Sequence, residues 1–306
     1  MVKKFLKNVC MIMCCTLLFS FVGCAEIDLE LSESGGSDSA SESLSGEVTE
    51  KKTEKKTEKK TEKRTEKKTE KTINTFKLRF GTYNIYHAGN NKDLTKIAKN
   101  ITDNKLDIVG LQEVDNNTKR SGKINQVKKL GELTGYKYYS FFKAISHDGG
   151  EYGLAILSKY PIKSTNKISL SSGSAEQRIL GHAKIDVDGT EINFFVTHLS
   201  YDNEGGGASR SKQFSEVATE LAKYDNFILS GDFNTRNLDE YTVIKGSALV
   251  NNKENETITY PDGRSPLDNL VYSTSVWKFD KINVVKESYS DHYMVWTEFT
   301  YTENNK

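Results

Sequence analysis

Short apolar runs of strand length recur along this chain, and Phe227-Ile-Leu-Ser-Gly-Asp232-Phe-Asn234-Thr235 shows most sharply how they end. The apolar run stops at Ser230-Gly231 and reads as a buried strand. A carboxylate and a carboxamide follow two positions apart, and period-2 spacing puts Asp232 and Asn234 on one side of an extended backbone. Gly231 lets the backbone bend and lets a ligand approach. Gly-Asp and Asn-Thr are also ordinary turn chemistry, so this stretch by itself reads equally well as a strand-end turn. What tips the balance is how many other strand ends carry similar groups.

Phe76 to Ile85 alternates like a strand, with Phe76, Leu78 and Phe80 on one side, and runs into Asn84. Leu106 to Leu111 is a short apolar strand ending in Gln112-Glu113. Tyr136 to Phe142 and Gly153 to Leu157 are two more strands. Ile179 to Val187 and Glu191 to Leu199 flank Asp188-Gly189, a strong hairpin signal, and His198 closes the second of them. Asp268 precedes the strand Asn269 to Tyr272, and Asp291-His292 precedes the strand Tyr293 to Thr300, with Trp277 to Val285 between. Helical spacing marks 93–105 (Leu94, Ile97, Ala98, Ile101), 124–133 with Gly135 as its stop, and 209–224 (Phe214, Val217, Ala218, Leu221). Strands dominate without strict βαβ alternation, which predicts an α+β layered sandwich of mixed sheets. Any one polar strand end has a bland reading as a cap or exposed turn; the set together points to a site.

Charge and cysteine usage narrow the chemistry. Of 43 Lys and Arg and 42 Asp and Glu, residues 1–73 hold 14 and 13, leaving 29 of each, and no net charge, for 74–306. A general nucleic-acid binder shows a basic excess, so composition leans against a grip on long nucleic acid. All four cysteines lie in the first 24 residues, which leaves the folded part without a disulfide or a thiolate metal site. Oxygen ligands from Asn84, Glu113 and Asp291 would suit Mg²⁺. The set is unlike a zinc site, although His198 and His292 leave zinc open.

The N-terminal part is a different material. Lys3, Lys4 and Lys7 precede an apolar run from Val9 to Val22, too short for a stable membrane span, so residues 1–23 read as a signal peptide. The run ends Phe21-Val22-Gly23-Cys24, which resembles a bacterial lipobox with Phe21 in place of the usual leucine. That resemblance implies cleavage before Cys24 and a lipid on its sulfur, anchoring the protein at the extracellular face of the cell membrane. An ordinary signal peptide is the alternative. Residues 24–74 form a Ser/Glu-rich spacer followed by a Lys-Lys-Thr-Glu repeat over 50–71. As a helix, that period stacks like charges at i,i+4, so it reads as an extended solvated tether. Contact with an anionic surface is the functional alternative. The folded domain is expected over 75–303.

Thr-Tyr-Asn84-Ile, Leu-Gln-Glu113-Val, Thr-His198-Leu, Gly-Asp232-Phe-Asn234, Leu-Asp268-Asn-Leu and Ser-Asp291-His292 stand in the order seen in the endonuclease/exonuclease/phosphatase superfamily. The chain resembles that group over about 76–300. Gln112-Glu113-Val-Asp115 through Arg120-Ser-Gly, with Gly150-Glu-Tyr152-Gly153 and Ala155 to Ser158, is most similar to a bacterial subgroup of metal-dependent hydrolases. The resemblance implies an α/β (α+β) four-layer sandwich of the deoxyribonuclease-like fold: two packed mixed sheets flanked by helices, with the site at one edge. It implies Asn84, Glu113 and Asp291 as ligands of Mg²⁺, with Mn²⁺ as the alternative metal. Asp268 would orient His292, this pair and Asp232 would activate or align the attacking water, and Asn234 and His198 would hydrogen-bond the phosphoryl oxygens. Arg178 could reach a substrate phosphate, or could be a strand-edge arginine facing water. His87 is favoured as a plain loop histidine, and His147 and His182 as surface or strand packing. The Asp202 to Gly207 loop is a candidate mobile rim.

The function expected is a surface-anchored phosphoesterase, a monomer, acting on a phosphodiester in a lipid headgroup, a nucleic acid or a phosphorylated small molecule. Nucleic acid is the substrate charge does not favour. The competing reading is a non-catalytic surface binding protein on the same fold.

Overall fold

The computed structural model describes residues 74–89, 93–201, 208–287 and 289–303. The signal peptide, Cys24, the tether and the Asp202 to Gly207 loop lie outside the described residues. Among the described residues no helix is long and apolar enough to cross a membrane.

In chain order the strands are β1 (Thr75–Asn84), β2 (Ile108–Asn116), β3 (Tyr138–His147), β4 (Gly150–Ser158), β5 (Ile162–Ser169) and β6 (Ile179–Val187). They continue as β7 (Thr190–His198), β8 (Phe227–Asp232), β9 (Ser247–Leu249), β10 (Asp268–Ser273), β11 (Trp277–Val285) and β12 (Met294–Thr302). The helices are α1 (Leu94–Asp103), α2 (Gln126–Thr134) and α3 (Ala208–Leu221). Asp93 and Asn125 cap α1 and α2 through side-chain oxygens that accept from Thr95 N and Lys128 N, and Gly135 closes α2 in the left-handed region at φ 75°.

Two six-stranded sheets result, in the orders β11-β12-β1-β2-β4-β3 and β5-β6-β7-β8-β10-β9. Each is mixed: β1 and β2 run parallel in the first, β7 and β8 in the second, and the other neighbours are antiparallel. Three apolar clusters show how the layers stack. One lies between the sheets and joins Leu78, Phe80 and Ile108 to Phe194, Val196 and Ile228. A second packs α1 and α2 residues (Ile97, Ile101, Val127, Leu130) on the outer face of the first sheet. A third packs α3 residues (Phe214, Val217, Leu221) on the outer face of the second sheet. Four layers follow.

Two strands escape the sequence pattern. β5 is an edge strand, exposed along most of its length and carrying Lys163 and Lys167, so no apolar alternation marks it. β9 is three residues long. A third difference lies in β2. The apolar pattern ends it at Leu111, yet it runs on to Asn116 through a bulge between Leu111 and Val114.

Candidate active site

Period-2 geometry carries the core directly into the site. On β1, Leu78 and Phe80 face the other sheet, and the same side continues to Thr82 and Asn84. On β7 the series is Phe194, Val196, His198; on β8 it is Ile228, Ser230, Asp232; on β10 it is Leu270 and Asp268. Each inward row is apolar in the middle of the sandwich and polar at its rim. Strand register then places the polar ends side by side. His198 pairs with Asp232 across the parallel β7–β8 ladder, and Asp268 pairs with Asp232 across the antiparallel β8–β10 ladder. Asn84 aligns with Gln112 across β1–β2, one residue before Glu113. The site therefore lies where the carboxyl ends of two parallel pairs meet.

Glu113 arrives there by a different device. Strict alternation from Val109 and Leu111 would send it to the outer, helix-covered face. The bulge reverses the parity, so Val114 takes the outer face, and Glu113 adopts φ 57°. A non-glycine residue in the left-handed region is costly and is retained where the surroundings hold it. Asn84 Nδ2 donates to Glu113 Oε1 at 3.0 Å and to Asp232 Oδ2 at 3.1 Å, tying the two sheets together.

Asn234 departs from the extended geometry expected of it. β8 ends at Asp232, Asn234 turns to φ 52°, and its N–H donates to Asp232 Oδ1 at 3.0 Å. The turn and the reactive placement are thus both present: Asn234 Nδ2 reaches Leu199 O and His198 Nε2, each at 3.0 Å. Asp291 and His292 lie in the segment entering β12, pinned when Ser290 Oγ donates to Asn84 O at 2.7 Å.

His292 sits between two carboxylates, with Nδ1 2.8 Å from Asp268 Oδ2 and Nε2 3.5 Å from Asp232 Oδ2. Burial alone would lower its pKa, but the Asp268 and Asp232 charges outweigh it and raise it to about 10. Burial pushes the Asp232 carboxyl up to about 7, with the Asp268 charge adding to it and His292 opposing. His198 is driven well below its ordinary value by burial, then by the charges of Arg178 and His292. Burial also raises the Glu113 carboxyl, against the Asn84 hydrogen bond, and the neighbouring Asp291 charge reinforces the rise.

Two groupings could hold a cation. One oxygen or nitrogen from each of Asp232, Asp268 and His292 lies within a 4.8 Å group. Both ring nitrogens of His292 already face carboxylates there, so that cluster is largely charge-balanced. Glu113 is different: a mostly buried carboxylate whose hydrogen-bond donor is a neutral amide, with Asp291 acting on it as a second negative charge. A hard divalent cation fits that donor set.

Of the other expected residues, Arg178 does not face water: it is 7% exposed, with Nη1 3.2 Å from His198 Nδ1 and 2.9 Å from Glu176 Oε1. Burial overturns the strand-edge reading because Arg178 enters β6 beneath the rim. His87 lies in the short helix Tyr86–Ala88, beside the Tyr86 ring. His182 is strand packing, stacked on Phe195 at 4.2 Å between ring centroids. His147 closes β3.

Three features have roles that were not read from the sequence, although Asp115, Arg120, Tyr152 and Ser290 stand in the motifs quoted above. Tyr260 packs edge-on against His292 at 5.0 Å from a loop with no periodicity. Ser290 looks like an ordinary turn serine, and only its neighbours Asp291 and His292 hint at its role as a clasp. Asp115, fully buried, forms a two-pronged pair with Arg120, whose guanidinium lies over the Tyr152 ring. A cleft of about 810 Å³ opens above the site, bordered by Tyr201, Asn234, Arg236, Tyr260, Asp291 and His292 among others.

A family model described as "Endonuclease/Exonuclease/phosphatase family" matches residues 81–292. No curated protein matches the chain. Among solved structures, an endonuclease/exonuclease/phosphatase from Beutenbergia cavernae superposes with TM-score 0.62 at 22% identity, covering 74% of this chain and 72% of that one. A mannosyl-6-phosphatase from Bacteroides thetaiotaomicron gives TM-score 0.57 at 19% identity, covering 72% and 99%. TDP2 from D. rerio, solved with a single-strand DNA product, gives 0.58 at 18% identity, covering 73% and 98%. At these identities the likeness is one of fold.

Proposed function

Because the chain belongs to the endonuclease/exonuclease/phosphatase family, we propose that it is a Mg²⁺-dependent phosphoesterase, lipid-anchored through Cys24 outside the cell, that hydrolyses a phosphodiester by in-line attack of water. The observation that carries the reading is the buried Asp268–His292–Asp232 line, joined to the Glu113 carboxylate through Asn84 Nδ2 and reaching an open cleft at His292. A binding module has no use for an imidazole held between two buried carboxylates, since its desolvation costs stability without adding affinity.

Mg²⁺ held by Glu113 with Asn84 and Asp291 would offset the charge that builds on the phosphoryl group. Asp268 fixes the His292 ring through Nδ1 and keeps it cationic, which leaves Nε2 aimed at Asp232 and the cleft. Asp232, with its carboxyl raised toward neutrality, is matched to take a proton from the attacking water at Oδ2. Asn234 and His198, on the β7–β8 side of Asp232, would donate to phosphoryl oxygens once substrate displaces their present contact with each other. Arg178 stands directly behind His198. The substrate class is a phosphate ester of a lipid headgroup, a nucleic acid or a small molecule.

A panel of bis-p-nitrophenyl phosphate, plasmid DNA, sphingomyelin and phosphatidylinositol, each with Mg²⁺ or EDTA, tests this. EDTA-sensitive turnover of at least one is the expected result. Binding without turnover of any would replace the enzyme with a surface binding protein.

A further inference from the structure

His198 has a hydrogen-bond donor at each ring nitrogen. Arg178 Nη1 lies 3.2 Å from Nδ1, and Asn234 Nδ2 lies 3.0 Å from Nε2. An imidazolium would turn an N–H onto a donor at both positions, so the ring is neutral and carries one hydrogen. Where that hydrogen sits depends on which neighbour is the stronger and more fixed donor. A guanidinium has no acceptor atom, keeps its proton and makes charge-assisted bonds. Glu176 Oε1 holds the same Nη1 at 2.9 Å, and the Arg178 side chain is 8% exposed, so the fork cannot swing away cheaply. Asn234 is a neutral donor without charge assistance, and giving up Nε2 still leaves its Nδ2 bonded to Leu199 O at 3.0 Å.

We propose that Arg178 is a positioning residue that reserves Nδ1 of His198 as an acceptor and so locks the ring as its Nε2–H tautomer, a fixed neutral donor facing the phosphate subsite. The site's two histidines then have opposite partners at the same ring atom. Asp268 meets Nδ1 of His292, and Arg178 meets Nδ1 of His198. One Nδ1 faces an acceptor and the other faces a donor. His198 Nε2 points to the side of Asp232 Oδ2, 3.6 Å away, where a phosphoryl oxygen would complete its hydrogen bond. The role of that donor rests on the phosphoesterase reading; the tautomer itself does not.

Long-range ¹H–¹⁵N correlation spectra of the imidazoles in the full chain read the tautomer directly, with His198→Asn identifying the resonance. The expected pattern at pH 7 is protonated Nε2 with bare Nδ1. An imidazolium or an Nδ1–H pattern would overturn the proposal. In Arg178→Met the ring should shift to the Nδ1–H form, because Asn234 Nδ2 is then the donor that remains, whereas Arg178→Lys should retain Nε2–H. On bis-p-nitrophenyl phosphate, Arg178→Met should lower kcat about 10²-fold, the loss of one transition-state donor, with KM nearly unchanged and partial recovery in Arg178→Lys. A raised KM at unchanged kcat would make Arg178 a direct substrate ligand and refute the positioning role. If the wild type turns over no phosphate ester, the phosphoesterase reading fails, while the spectra still decide the tautomer.

Discussion

Replacing Glu113 by glutamine separates the cost of the site from its use. The substitution keeps the shape: Oε1 accepts from Asn84 Nδ2 at 3.0 Å, and a carboxamide oxygen accepts the same bond. The left-handed backbone at φ 57° burdens both residues equally, so the bulge should survive. What disappears is a mostly buried negative charge that the folded state disfavours, as the upward shift of its carboxyl shows. In EDTA at pH 7, Glu113→Gln should therefore be at least as stable as the wild type. With Mg²⁺ the order reverses. A ligand at a hundred times its Kd stabilises by about 2.7 kcal/mol, and a domain of this size moves about 2–4 °C per kcal/mol, so the wild-type Tm should rise about 5–10 °C. The variant should show almost no rise. Differential scanning calorimetry with a Mg²⁺ titration against EDTA reads both quantities. A variant that keeps the full Mg²⁺ shift would remove Glu113 from the metal site, and a wild type without any shift would remove the site.

Asp268→Ala leaves a buried imidazole with one carboxylate instead of two and should cost about 3–5 kcal/mol in a urea midpoint analysis, because one partner of a buried pair is lost; a cost under about 1 kcal/mol would show the pair to be loosely held. Gly110→Ala would set a Cβ 2.1 Å from Ser230 Oγ and 2.9 Å from Val196 Cγ2 across the two sheets, so about 1–3 kcal/mol of strain is expected. Adding Ser230→Gly should recover part of it, and strict additivity would mean the sheets do not meet there. His182, lowered by burial, binds its proton more readily unfolded, so its stabilising effect is present above about pH 6.5 and lost as pH falls below that value. His182→Phe, which preserves the stack on Phe195, should flatten the decline of Tm between about pH 7 and 5; an unchanged slope would assign the decline to other groups. Metabolic palmitate labelling should mark the wild-type chain and not Cys24→Ser; equal labelling of both would dismiss the lipid anchor.

The sequence by itself determined which strand faces are buried and where they turn polar. Period 2 is a local property, so Phe194, Val196 and His198, or Ile228, Ser230 and Asp232, can be read as rows without knowing what they pack against. The helix stop at Gly135 was legible for the same reason. Tertiary structure alone decided the rest. Nothing local says that β1 pairs with β2 and β7 with β8 in parallel, yet that pairing brings the rows to one rim. The bulge that swings Glu113 inward is settled by β2's register against β4. Arg178 and His198 stand twenty residues apart, and their contact follows from β6 and β7 packing side by side. Chemistry at a strand end is written in neighbouring residues; the convergence of strand ends comes from long-range pairing, whose free energy belongs to the whole sandwich and not to any segment of it.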